Sequence, residues 1–332
     1  MDLDKASLRI GAAAIACAVL LRLAAGGLFD PMVRLFSQPN IASLLIYLET
    51  GRIVRFSDSS GDSTVFAPVL RQETVPEETE ASTRPVFTAV DAAGIDIRGV
   101  ELQTDLGQLL EQPLDWDLTG AEPTVLIYHT HATESYTRQS GEKYTESSAY
   151  RTLSEDYNMV SIGTRVAQLL EAEGVHVVHD HQLHDYPDYN TSYNSSRQSV
   201  QEYLRQYPSI RLVLDIHRDA SGDNHNQMTT SATVDGEKAS QLMLVMAVGT
   251  DARPVPNWKE NLALGLKLQT QLERTAPGIT RYVNTRASRF NQDLSVGAIL
   301  VEVGAAGDTH RKALNAAEVL AEAILALKYG AN

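Results

Sequence analysis

At 332 residues, with 43% hydrophobic and 21% charged side chains, the chain is long enough for one large globular domain and further segments. Its net charge of −14 argues against a nucleic-acid partner, because such binding needs clustered Lys and Arg to displace counterions. The single cysteine, Cys17, rules out a disulfide framework and a thiolate zinc site, so any metal must be held by His, Asp or Glu.

In chain order, a short tail of residues 1–9 leads into IGAAAIACAVLLRLAAGGLF, residues 10–29, which has the length needed to span a bilayer. Arg22 sits off-centre in this run, where its side chain can snorkel toward one interface. A buried Ala/Leu helix would have similar composition, and the AAGG string would suit signal cleavage. The run is long for a signal peptide, so it is read as an uncleaved transmembrane anchor. Lys5 and Arg9 before it favour a cytoplasmic tail, with everything after residue 29 outside the cell. Residues 30–122 hold a second apolar patch, SLLIYLET, too short to span. Ser-, Thr-, Pro- and Glu-rich sequence such as SDSSGDST and ETVPEETEASTRP follows. That composition predicts a variable, solvated spacer with at most short amphipathic pieces, such as residues 102–114.

From residue 123 the pattern changes. Apolar, β-branched runs at 124–128, 175–178, 211–216, 242–248 and 298–303 alternate with helical-period segments at 158–173, 195–206, 258–275 and 310–328. Gly174 lies just past the first of these helices, as a C-cap should. Continuously apolar strands separated by helices predict an α/β domain over residues 123–332, a mainly parallel sheet with helices on both faces.

Three of these strands carry polar residues that an inert sheet does not need. TVLIY runs into His129, Thr130, His131 and Glu134; RLVLDI runs into His217, Arg218 and Asp219; and AILVEV holds Glu302 among apolar neighbours. Ligands of open parallel sheets bind beyond the carboxyl ends of the strands, where residues distant in sequence converge. Two histidines without cysteine suit Zn²⁺, which lowers the pKa of bound water while a carboxylate outside the metal shell moves the proton. Glu302 fits that second role, since a lone buried glutamate needs a partner or a raised pKa. Each residue also has a structural reading: a capping histidine, a hydrogen-bonding His217, or an ion-paired Glu302. The VHDHQLHDYPDYN string, with His179, His181 and His184, follows a strand into a polar loop and is read as a substrate-facing loop.

The strings YHTHATESY (128–136), SYNSSRQSVQEYL (192–204), LDIHRDA (214–220) and RFNQDLSVGAILVEVG (289–304) resemble the stage II sporulation protein P family, peptidoglycan hydrolases of endospore-forming bacteria. The resemblance runs from about residue 123 to the C-terminus; before it, only the layout of anchor and spacer is similar. That family is similar to zinc-dependent N-acetylmuramoyl-L-alanine amidases with a phosphorylase/hydrolase-like α/β fold. The resemblance implies Zn²⁺ held by His131 and His217, with His129 as alternative to His131 because both stand in the same HTH string. It implies a third carboxylate ligand, Glu155, with Glu134 and Asp156 as alternatives, and Glu302 as the catalytic acid–base. Arg218 is assigned to the oxyanion or a peptide carboxylate, and Glu134 and Asn291 to substrate binding. The implied substrate is peptidoglycan, cut at the amide between N-acetylmuramate and L-alanine during sporulation and engulfment. A lytic transglycosylase-like step on the glycan is also associated with the family, with Glu134 or Glu302 as the acid. Implied partners are other membrane-anchored engulfment proteins in the sporangial membrane. One departure is AAGDTHRKA (305–313), where Asp308 replaces a more usual Asn. The competing functions are an inactive wall-binding scaffold and a zinc peptidase acting on stem peptides.

Overall fold

The computed structural model describes residues 84–222 and 226–332. The expected anchor at 10–29 and the first part of the expected spacer lie outside these residues. No helix among the described residues is long and apolar enough to cross a membrane.

The polar-looking stretch 84–122 is folded. It forms a short helix α1 (Ala89–Ala92), strand β1 (Ile97–Gly99) and helix α2 (Leu106–Glu111), the last capped by the Asp105 carboxylate accepting from Gln108 N. Phe87, Leu109, Leu110, Trp116 and Leu118 all join the main hydrophobic core, and the Trp116 indole donates to Leu327 O at 2.6 Å. Each such side chain contributes about 1.5–3 kcal/mol of burial, enough to hold a segment whose overall composition reads as solvated. The folded unit therefore begins well before the expected boundary at 123.

The central elements are β2 (Val125–Tyr128), β3 (Glu146–Ser148), β4 (Arg151–Thr152), α3 (Met159–Ala172), β5 (Val177–His179), α4 (Ser192–Gln206), β6 (Leu212–Asp219), β7 (Ala232–Val234), β8 (Glu237–Ala239), β9 (Leu242–Ala247), α5 (Trp258–Thr275), β10 (Val283–Arg286), β11 (Ala298–Ala305) and α6 (His310–Ala326). The expected strands and helices form, and β3, β4, β7, β8 and β10 join them without an apolar run to mark them. Local chemistry sets the helix ends. The Asn158 side chain accepts from Val160 N to start α3, and the Thr309 hydroxyl accepts from Lys312 N to start α6. Gly174, at φ 81°, takes the left-handed turn that follows α3.

Seven strands form one sheet in the order β1-β10-β9-β11-β6-β2-β5. The block β11-β6-β2-β5 is parallel throughout, and so is β1-β10-β9, but the two blocks meet antiparallel where β9 pairs with β11. The sheet is thus mainly parallel with one reversal. Its faces are covered unequally. One carries the main core under α2, α3, α5 and α6; the other has α4 over Leu126, Val213 and Ala298. Beside α4, the patch of Met243, Val245 and Leu300 is covered by Tyr282 and Phe290 rather than by a helix.

Candidate active site

Because β2, β6 and β11 run in the same direction and lie side by side, their carboxyl ends bring polar residues to one rim of the sheet. Alternation along β6 puts Asp215 and His217 on one face. Glu302 of β11 is the register partner of His217, so its side chain stands on that face too. The loop after β2 adds His131 and Glu134. The His131 ring meets His217 edge-on with centroids 5.3 Å apart, stacks on Tyr189 at 4.5 Å and touches Tyr193 edge-on at 5.5 Å. Glu134 Oε2 lies 3.8 Å from His217 Nδ1.

Buried charge dominates this rim. Burial alone would raise the Glu134 carboxyl, but Arg218, His217, His131 and Arg151 hold it below its ordinary value. At Glu302 the balance falls the other way: burial, with Glu134 and Asp219, pushes its carboxyl up to about 8 against the pull of His217 and Arg218. Burial disfavours a charged His217, yet Asp215, Glu134 and Glu302 outweigh it and hold the ring up to about 9. His131 is pulled below its ordinary value by burial and by the neighbouring His217, against the pull of Glu134. His131 Nδ1 and Glu302 Oε2 are buried without a hydrogen-bond partner, and His217 Nε2, 2.8 Å from Asp215 Oδ1, is out of line for one. Orphaned buried polar atoms are uncommon in folded proteins and call for a reason.

Of the expected site residues, His131, His217, Glu134 and Glu302 come together; the others do not join them. His129 is fully engaged, with Nδ1 2.9 Å from Ile216 O and Nε2 2.8 Å from His179 Nε2, and burial lowers it to about 4. Gly163 makes room for that histidine pair, since a Cβ there would lie 2.5 Å from both ring nitrogens. Glu155 is exposed and bonded to His181 Nδ1 at 3.0 Å, and Asp156 is exposed in the same turn. Their place beside the histidines is taken by Glu134, because the chain after His131 turns back and buries that carboxylate. Arg218 is also tied down by the surrounding chain. It is buried, and its guanidinium donates to Ser135 O at 3.0 Å and Tyr150 O at 3.1 Å and flanks Glu134 at 3.5 Å. These contacts tie Glu134 and the loop after β2 to β6. Asn291 is likewise buried, donating to Tyr193 O and Ser196 Oγ. In the expected His-rich loop, His184 is locked between Asp180 Oδ2 and Ser195 Oγ, both 2.9 Å away.

Sequence reasoning missed Asp215, although a carboxylate two residues before His217 in an apolar strand is a readable signal. Asp215 accepts from Thr130 N at 2.9 Å and from the Thr130 hydroxyl at 2.7 Å, while standing against His217. It also missed Arg151, which reaches Glu134 and Asp185 and lies over the Tyr189 ring, in a segment with no apolar pattern to mark it.

The donor set fits a divalent cation. His131 Nδ1 is buried without a partner, and His217 turns Nδ1 toward the Glu134 carboxylate while Asp215 stands behind its Nε2 in the manner of a metal-orienting partner. The acidic side chains Asp215, Glu134 and Glu302 crowd one imidazole and favour positive charge at that point. Among the described residues, no three such side chains are already drawn around a common point, because Glu134 is turned toward Arg218 and Arg151.

Comparison with known proteins finds stage II sporulation protein P of Bacillus subtilis (strain 168) to be 27% identical over 216 residues, covering 61% of this chain. The chain spans about half the length of that relative, 51% of it being matched. Similar solved structures include the N-acetylmuramoyl-L-alanine amidase AmiC2 of Nostoc punctiforme, 16% identical, with a TM-score of 0.37 over 62% of this chain and 97% of that one. Another is the CwlD amidase of Clostridioides difficile in complex with the GerS lipoprotein, 14% identical, with a TM-score of 0.38 over 62% and 95%. The family model for stage II sporulation protein P matches residues 65–325, most of the sequence, and the chain belongs to that family.

Proposed function

We propose that this chain is a membrane-anchored, zinc-dependent peptidoglycan hydrolase of sporulation, cleaving the amide between N-acetylmuramate and L-alanine. The observation that carries this reading is the convergence of His131, His217, Glu134 and Glu302 on one rim with buried polar atoms left unsatisfied. His131, His217 and Glu134 would hold the ion. When bound, it lowers the pKa of a water and polarises the amide carbonyl. Glu302 is the proton carrier: a carboxyl with its proton held up to about 8 is matched to taking a proton from water and giving it to the leaving amine near neutral pH. Asp215 orients the His217 ring, and Arg218 fixes Glu134 against it. Tyr189 and Tyr193 flank His131 and shield the site from solvent on that side. The anchor at residues 10–29 would place the domain outside the membrane, beside the wall and the other engulfment proteins.

The test is digestion of purified peptidoglycan by the full chain, with and without a chelator, followed by mass spectrometry. The expected products are peptides with a free L-alanine amino terminus, lost with chelator and lost in Glu302→Ala while bound zinc is retained. Products with new glycan ends instead would assign the glycan strand as substrate. No product from a zinc-loaded chain would leave a wall-binding scaffold.

A further inference from the structure

We propose that the arginine-lined groove beside α4 binds the carboxylates of the stem peptide, and so determines which side of the scissile amide the enzyme grips. The proposal rests on the amidase reading above and adds to it a recognition element beside the proposed hydrolytic groups.

The groove, about 560 Å³, is bounded by Tyr193 and Arg197 of α4, Arg253 of the β9–α5 loop, and Arg289, Phe290 and Asn291 of the segment before β11. Its wall carries three arginines from three separate stretches of chain and no acidic residue, on a protein whose net charge is −14. Asp293 behind the wall is shared: it takes a paired contact from Arg197 at 2.9 and 2.8 Å and a longer one from Arg289 at 3.7 Å. One carboxylate for two guanidinium groups, with exposed Arg253 added, leaves the groove net positive.

Its position ties it to the active rim. Leu300 and Glu302 are two residues apart on β11 and point to the same sheet face. Phe290 covers Leu300, so the groove lies directly along the strand from Glu302. Tyr193 closes the connection, touching His131 on one side and Phe290, at 5.8 Å, on the other. The wall is held in place. Phe290 and Asn291 have φ of 47° and 57°, a left-handed pair that ordinary residues adopt only when fixed by their surroundings. Here the Asn291 amide fixes them, donating to Tyr193 O at 3.2 Å and Ser196 Oγ at 3.0 Å.

A groove with this chemistry takes an extended, anionic peptide. Planar guanidinium groups pair with carboxylates in two-pronged fashion, and a peptide leaving the muramoyl amide carries carboxylates along its length.

The experiment measures binding of the tripeptide L-alanyl-γ-D-glutamyl-L-lysine to the purified full-length chain, against the same peptide with both carboxyls amidated. The native chain is expected to bind the free acid about tenfold tighter or more, the discrimination expected of charged hydrogen bonds. The preference should weaken as salt is raised. In the Arg253→Ala, Arg289→Ala double variant it should collapse to within about twofold, and the corresponding Lys variants should restore part of it. Equal binding of the two peptides by the native chain, or an unchanged preference in the double variant, overturns the proposal. Because binding is read without cleavage, a chain that keeps the preference but releases no L-alanine-terminated product refutes the amidase reading and leaves the groove intact.

Discussion

Asp215 offers the sharpest test of how the active rim is built. It is 1% exposed and holds three partners: Thr130 N, the Thr130 hydroxyl and the His217 ring. Substituting alanine strands two donors and an imidazole in a buried site. Hydrogen bonds to a buried charge contribute about 1.5–3 kcal/mol each, and breaking a buried charged pair costs about 3–5 kcal/mol in all, since the terms are not additive. Asp215→Ala should therefore lower the free energy of unfolding in urea by about 3–5 kcal/mol, with a drop in Tm on the order of 10 °C for a domain of this size. Asp215→Asn keeps one oxygen for Thr130 and should cost only about 1–2 kcal/mol. It removes the negative charge behind His217, however, and should weaken zinc binding by about 10- to 100-fold, as loss of an orienting carboxylate does. Urea unfolding with chelator and competitive zinc titration of the same samples separate the two effects. An Asn variant with native zinc affinity would refute the claim that Asp215 acts through His217. An Ala variant as stable as the native chain would refute the hydrogen-bond accounting itself.

Two further outcomes are expected. Glu302 keeps its proton to about 8 in the folded chain and only to 4.5 unfolded, so between those values the unfolded state releases a proton the folded state retains. Stability then falls as pH rises, by about 3 kcal/mol at pH 7, and Glu302→Gln should be more stable than the native chain by roughly that amount, with the gap closing toward pH 4.5. Urea unfolding with chelator at a series of pH values checks this; a gap that is flat with pH would contradict it. Removing residues before 123 should leave an unfolded or aggregated product, whereas Trp116→Ala in the full chain should cost about 3–5 kcal/mol, read by circular dichroism and urea unfolding. A cooperatively folding chain that starts at residue 123 would show that Phe87, Leu110 and Trp116 are ornament to the core.

The sequence was most legible where local rules and burial agree. The α5 boundaries follow from periodicity alone, and β2, β6, β9 and β11 lie within a few residues of their apolar runs because buried parallel strands admit nothing else. β1 and β10 escaped notice: IRG and VNTR have no apolar run, and their strand character comes from pairing with each other and, for β10, with β9. The site divides in the same way. His217 and Glu302 stand on strands, whose alternation and register carry them to one face. The carboxylates offered as third ligand all stand on loops, where spacing does not determine direction. Glu155 turns out to His181 and Glu134 turns in to His217, for reasons that lie in Arg151, Arg218 and Tyr150, far along the chain. The hold on Arg218 was not legible either, because only the tertiary structure shows the Ser135 and Tyr150 carbonyls that its guanidinium meets.

The pairing of β1 with β10 has a consequence for how the protein is made. The first strand of the domain hydrogen-bonds to one of the last to be synthesised, and Pro85 and Phe87 bond through the backbone to Asn332. Contacts between such distant stretches make folding slow and leave early segments without partners until late ones arrive. Glu302, which follows β10 in the chain, meets His131 and His217 only once the last strands are in place, so the rim that gathers these side chains is among the last parts of the domain to be completed.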